Sequence, residues 1–131
     1  MNGNNIGLRI VAALVLGGGT LTGTLTVPTV AGGASTFSNL VLTGTIGPRT
    51  IRFTSGSFTP DTSAVITLAA GNAAAVAFVQ EPSAVTAGAA ITPSPSVRVQ
   101  DGAGNLVTTP AQTVALSIST NPGGATLSGT T

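Results

Sequence analysis

The sequence predicts an all-β fold, a layered sandwich of short strands without substantial helix. Three observations carry this. No window of 11 or more residues places apolar residues at helical spacing between capping signals. Turn signals built on Gly, Pro, Asn and Asp recur every 8 to 12 residues. Between them lie short runs rich in Thr and Val, whose branched β-carbons favour strands.

A repeated stretch organises the chain. Gly18-Gly19-Thr20-Leu21-Thr22-Gly23-Thr24 returns as Gly124-Ala125-Thr126-Leu127-Ser128-Gly129-Thr130, an offset of 106 residues from Thr20 to Thr126. An apolar alternating run precedes each copy, residues 10–16 before the first and residues 114–118 before the second. Self-similarity at a fixed spacing marks a repeat architecture. The 131 residues therefore span one period and a short overlap.

Taken in order, residues 1–7 are a polar, Gly/Asn-rich lead-in. Residues 8–16 form a buried strand that ends at Gly17-Gly18-Gly19. Residues 20–27 alternate, with Leu21, Leu25 and Val27 on one face, until Pro28 stops the strand. Residues 34–42 form the next strand, with a bulge at Ser38-Asn39 where the apolar spacing slips. After a turn at 44–48, residues 49–55 place Ile51 and Phe53 inward and Arg52 and Thr54 outward. A loop at 56–63 leads to a strand at 64–69 with Ile66 and Leu68 inward.

Ala70-Gly71-Asn72-Ala73 is the strongest boundary. Beyond it, residues 74–80 make a strand with Val76 and Phe78 on one face, and residues 91–100 extend with Val97 and Val99 inward. Asp101-Gly102-Ala103-Gly104-Asn105 is a tight turn, held by Asp and Asn bonding to nearby backbone. A brief strand at 106–108 follows, and residues 112–119 alternate Val114, Leu116 and Ile118 against Thr113, Ala115 and Ser117.

Composition narrows the function. Charged residues are 5% of the chain, against roughly 25% in ordinary soluble domains. The four arginines and three acids give a formal charge of +1, and only Arg49 and Arg52 lie close together, so no basic patch suited to nucleic acid forms. Cysteine is absent, which removes a disulfide framework and a thiolate metal site. The apolar run 10–16 after Arg9 also fits a clipped signal peptide, but its second copy sits mid-chain, which favours a strand; at seven residues it is far below a membrane span of about 20.

Enzyme chemistry is not expected. Without His, Lys, Tyr or Cys, general acid–base work falls to Asp61, Glu81 and Asp101, which lie far apart in sequence. No base is present to activate a serine or threonine, and a phosphate loop lacks its lysine. The 101–105 turn offers oxygens to calcium but too few carboxylates. Arg49 and Arg52 are the charged candidates for contact with an anionic glycan or a lipid headgroup, but Arg52 occupies the outward slot of a strand, which favours a plain solvated charge. Phe37, Phe53 and Phe78 fall on inward positions suited to a core, and Phe58 lies in a loop. No cofactor is implied.

Phe78-Val79-Gln80-Glu81-Pro82-Ser83, Ala87-Gly88, Ile91-Thr92-Pro93, Val97-Arg98-Val99-Gln100-Asp101 and Gly104-Asn105 resemble the opening of bacterial immunoglobulin-like repeats, which occur in large secreted and surface-anchored proteins such as invasin/intimin-like adhesins. Residues 19–24, 34–40 and 64–68 resemble the later strands of the same repeats. The resemblance implies an Ig-like β-sandwich, an extracellular or cell-surface location in bacteria, and a structural role as stalk or spacer.

The register departs from that pattern. Residues 1–70 supply the late strands of one repeat and residues 71–131 the early strands of the next. A half-sandwich exposes an apolar face and unpaired ladder edges. Three arrangements resolve this: a piece of a longer array, two halves closing as a circular permutant, or a head-to-tail filament in which early strands of one copy complete late strands of the next. Partners are then other copies or neighbouring repeats, without nucleic acid or membrane insertion. Val114, Leu116, Ile118, Leu127, Leu14 and Leu21 are the candidate strand-exchange positions. A glycan- or cell-binding module is the remaining alternative.

Overall fold

The computed structural model describes residues 8–130; the polar lead-in at 1–7 lies outside them. The fold is all-β, with antiparallel sheets and no helix among the described residues. The first body contains β1 (Arg9–Leu14), β2 (Thr20–Thr22), β3 (Thr26–Pro28), β4 (Val41–Thr43), β5 (Gly47–Arg49), β6 (Ile51–Thr54), β7 (Asp61–Thr62) and β8 (Ile66–Leu68). The second holds only β9 (Ala75–Gln80) and β10 (Ser96–Gln100).

β1 lies inside a four-stranded sheet ordered β3-β1-β6-β7. Its register sets Ile10 opposite Val27, Ala12 opposite Phe53 and Leu14 opposite Ile51. Period-two alternation thus gathers the apolar side chains of three strands on one face. Ala12 and Ile51 are buried there, and the Phe37 ring meets Phe53 edge-on with centroids 5.4 Å apart. Ser63 clamps the sheet's edge twice: its N–H donates to Ile51 O at 2.8 Å, and its hydroxyl accepts from Ile51 N at 3.0 Å.

Two further sheets are only two strands wide. β2 pairs with β4, setting Leu21 opposite Leu42, and β5 pairs with β8, setting Arg49 opposite Ile66. β9 and β10 form a separate ladder in which Phe78 faces Val97 and Val76 faces Val99.

Several expectations are corrected. The strand foreseen at 20–27 splits at Gly23, whose φ of +107° turns the chain from the β2–β4 sheet into the β1 sheet. The strand foreseen at 34–42 survives only as β4; the slip at Ser38-Asn39 is not a bulge but a corner, where Asn39 Oδ1 accepts from Thr24 N at 2.9 Å and Nδ2 donates to Thr24 Oγ1 at 3.0 Å. The turn foreseen at 44–48 yields β5, and the loop at 56–63 contains β7. Ile66 and Phe78, expected inward, are exposed. The brief strand at 106–108 reduces to one bridge, Gln100 with Leu106. The strand foreseen at 112–119 has no ladder: among the described residues nothing pairs with it.

The core is correspondingly thin. Only Ala12, Ile51 and Val107 are buried apolar residues, and no large side chain is fully buried among the described residues. The extended segment 108–130 is exposed at every position.

Candidate functional site

Two features stand out: a junction between the two bodies, and apolar surface that no layer covers.

The junction is built on the 101–105 turn. Gly104 adopts φ +82°, and its N–H donates to Asp101 O at 3.1 Å, closing the turn. Asp101 then organises it. Oδ1 accepts from Ala103 N and Asn105 N, both at 2.9 Å, and Oδ2 accepts from Gly71 N and from Asn105 Nδ2, both at 2.8 Å. Gly71 lies on the linker into the second body, so one carboxylate ties the linker to the turn. Asn105 carries the connection to the first body. Its Nδ2 donates to Gly44 O at 2.9 Å, and its Oδ1 accepts from Ile46 N at 2.9 Å. Asp101 and Asn105 are both 7% exposed.

Four N–H donors hold the Asp101 carboxylate well below its ordinary value, at about 2; the Asn105 amide contributes most, then Gly71 N–H, against a smaller opposing effect of desolvation. The same donors occupy the four lone-pair positions of the carboxylate. A cation at this turn would meet N–H groups rather than free oxygens, so the calcium alternative does not fit the geometry.

Arg49 also departs from expectation. It is 3% exposed, so it is not a surface contact for a glycan; Arg52 is exposed. Its Nη1 donates to Pro48 O at 2.7 Å and its Nη2 to Thr45 O, which fixes the 45–49 corner that also receives Asn105. The guanidinium lies against Gly17, where any β-carbon would overlap it. Strand parity held a signal for this: Arg49, Ile51 and Phe53 are all odd-numbered, and Arg49 follows the inward set.

The six strand-exchange candidates separate. Leu14 and Leu21 are half-buried and occupied within their own ladders, opposite Ile51 and Leu42. Val114, Leu116, Ile118 and Leu127 are exposed and unpaired among the described residues. Only local bonds shape that segment, such as Asn121 Oδ1 accepting from Ala125 N at 2.7 Å. The structure does not bring the six together.

An open groove of about 590 Å³ adjoins the junction. Its lining includes Leu42 and Thr43 of β4, Leu68 of β8, and Gly71 and Asp101 of the junction. The inward face of the β9–β10 hairpin is likewise uncovered: Val76 and Phe78 are 55% and 56% exposed, and Val97 is 39% exposed.

No protein-family model, curated protein or solved structure matches the chain.

Proposed function

We propose that the chain is a structural module of a bacterial surface or secreted protein, an Ig-like repeat that spaces and stiffens a stalk and performs no catalysis. The observation that carries this is the junction. A linker between successive β-bodies is ordinarily a flexible joint. Here the Asp101–Asn105 turn, Gly71 and Gly44–Ile46 are bound into one hydrogen-bonded block, and six of its bonds come from two side chains that are 7% exposed. Such a block transmits orientation from one unit to the next. The 106-residue offset supplies the repetition a stalk needs. The hydroxyl-rich, nearly uncharged composition and the resemblance to adhesin repeats support the surface location.

The test is a polypeptide of three consecutive 106-residue periods, compared with one and two by small-angle X-ray scattering. The expected result is a maximum dimension that grows by a constant increment per period. A dimension that stays constant, or that broadens as a flexible string does, overturns the spacer role.

A further inference from the structure

We infer that residues 112–119 form a self-pairing strand, which docks antiparallel on the same residues of a second copy of this chain. The inference goes beyond the spacer role and does not depend on it, because it assigns the chain a self-association surface.

The backbone gives the first argument. Residues 112–119 are exposed at every position, and among the described residues they belong to no ladder and make no backbone-to-backbone hydrogen bond. The earlier copy of this stretch shows how such a strand is used: β1 pairs with β3 along one edge and with β6 along the other. Residues 112–119 present both edges unpaired, the condition under which a strand recruits another chain. Proteins guard such edges with Lys, Pro or inward charges. Residues 112–119 contain none of these; Pro110 and Pro122 only bound the stretch, and residues 102–130 carry no charged side chain. A short uncharged window of β-branched and apolar residues without Pro is the composition that stacks on copies of itself.

The side chains identify the occupant. Antiparallel pairing centred on Leu116 sets Leu116 opposite its own counterpart and Val114 opposite Ile118. The other face then sets Thr113 opposite Ser119 and Ala115 opposite Ser117. Every cross-strand pair joins like with like, apolar on one face and small or hydroxyl-bearing on the other. A slip of one residue sets Leu116 opposite Ser117 and loses the match. The outer strands of the β1 sheet are poorer partners: β3 is three residues long and ends at Pro28, and β7 is two residues long and contains Asp61. Val114, Leu116 and Ile118 are 42%, 54% and 40% exposed in the single chain. One pair of strands is marginal by itself, but each strand keeps a second open edge, so further copies add and the ladder grows.

The test uses the full chain and two double variants of the hydroxyl-bearing face. Thr113→Glu with Ser119→Glu sets like charges opposite each other in this register and takes the formal charge from +1 to −1, so its magnitude is unchanged. Thr113→Lys with Ser119→Glu sets Lys opposite Glu at both ends and keeps the charge at +1. Both positions lie outside every ladder of the single chain, and circular dichroism checks that each variant keeps its β signal. In sedimentation velocity, wild type is expected to show masses that climb with concentration in multiples of the chain. The Lys/Glu variant is expected to climb likewise, and the Glu/Glu variant to stay monomeric over the same range. A wild type that is monomeric throughout overturns the proposal. A Glu/Glu variant that assembles like wild type places the contact elsewhere, such as the free edge of β9, and overturns it too. A monomeric Lys/Glu variant overturns the antiparallel register, since parallel in-register strands would set Lys against Lys. A monomeric wild type leaves the spacer role standing; a three-period chain of constant dimension removes that role whatever the wild-type mass.

Discussion

The Asn105 side-chain amide donates to the Asp101 carboxylate at 2.8 Å while its second hydrogen reaches Gly44 O at 2.9 Å, across 61 residues. One planar amide therefore reads two different parts of the chain at once. The Asp101 bond fixes the orientation of the amide, and the fixed orientation aims Oδ1 at Ile46 N. Asn105→Ala removes every one of these bonds and leaves Gly44 O and Ile46 N without partners in a half-buried corner. The expected loss is about 1–3 kcal/mol in chemical denaturation. Amide hydrogen exchange at Ile46 is expected to accelerate in the same variant, which ties the loss to the junction rather than to the strands.

Acid acts on the same block through Asp101. Its folded-state pKa is lowered from 3.8 to about 2, so the unfolded chain binds the proton first as pH falls. The stabilisation from the ionised carboxylate is complete above about pH 4 and disappears as pH drops through about 2. Between those values the thermal midpoint of wild type is expected to fall. Asp101→Asn carries no titrating group there, so its midpoint is expected to start lower and to descend less across the same window. Parallel curves for the two proteins would show that the carboxylate has no part in acid sensitivity.

Gly23 and Gly129 occupy the same place in the two copies and share a backbone conformation, with φ of +107° and +116°. Their surroundings differ. A β-carbon on Gly23 would overlap the Asn39 carbonyl, whereas one on Gly129 meets nothing within 4 Å. Gly23→Ala combines backbone strain with a backbone clash, and a loss of about 2 kcal/mol or more is expected. Gly129→Ala sits in a segment with no ladder to destabilise, so the thermal midpoint of the single chain is expected not to move. Equal effects would mean that the second copy is already paired.

These contrasts show what was legible in the residues. Alternation placed Leu21, Leu25 and Val27 on one side, and all three are half-buried although Gly23 splits the strand between sheets. The alternation in burial thus continues across the break between the two sheets. Phe78 failed the same inference. Its parity groups it with Val76 correctly, but parity states which residues share a face and not whether a layer lies opposite. The Asp101-Gly102-Ala103-Gly104-Asn105 turn was legible from its short-range chemistry. Its docking on Gly44 was not, since no local pattern encodes a partner 61 residues away.

Arg49 and Arg52 are three residues apart and separate cleanly in their expected effects. Arg52 is exposed on β6, and Arg52→Ala is expected to stay within about 0.5 kcal/mol of wild type. Arg49 is 3% exposed, and its guanidinium satisfies Pro48 O and Thr45 O while filling the space above Gly17. Arg49→Ala leaves those carbonyls without a donor and opens a gap beside β5, so a loss of about 2–4 kcal/mol is expected. Arg49→Lys keeps the charge but not the fork that reaches two carbonyls at once, and it is expected to recover only part of the loss. Thermal melts of the three variants decide the matter. A full recovery by Lys would reduce Arg49 to a point charge, and a neutral Arg49→Ala would mean that the 45–49 corner holds its shape on backbone bonding alone.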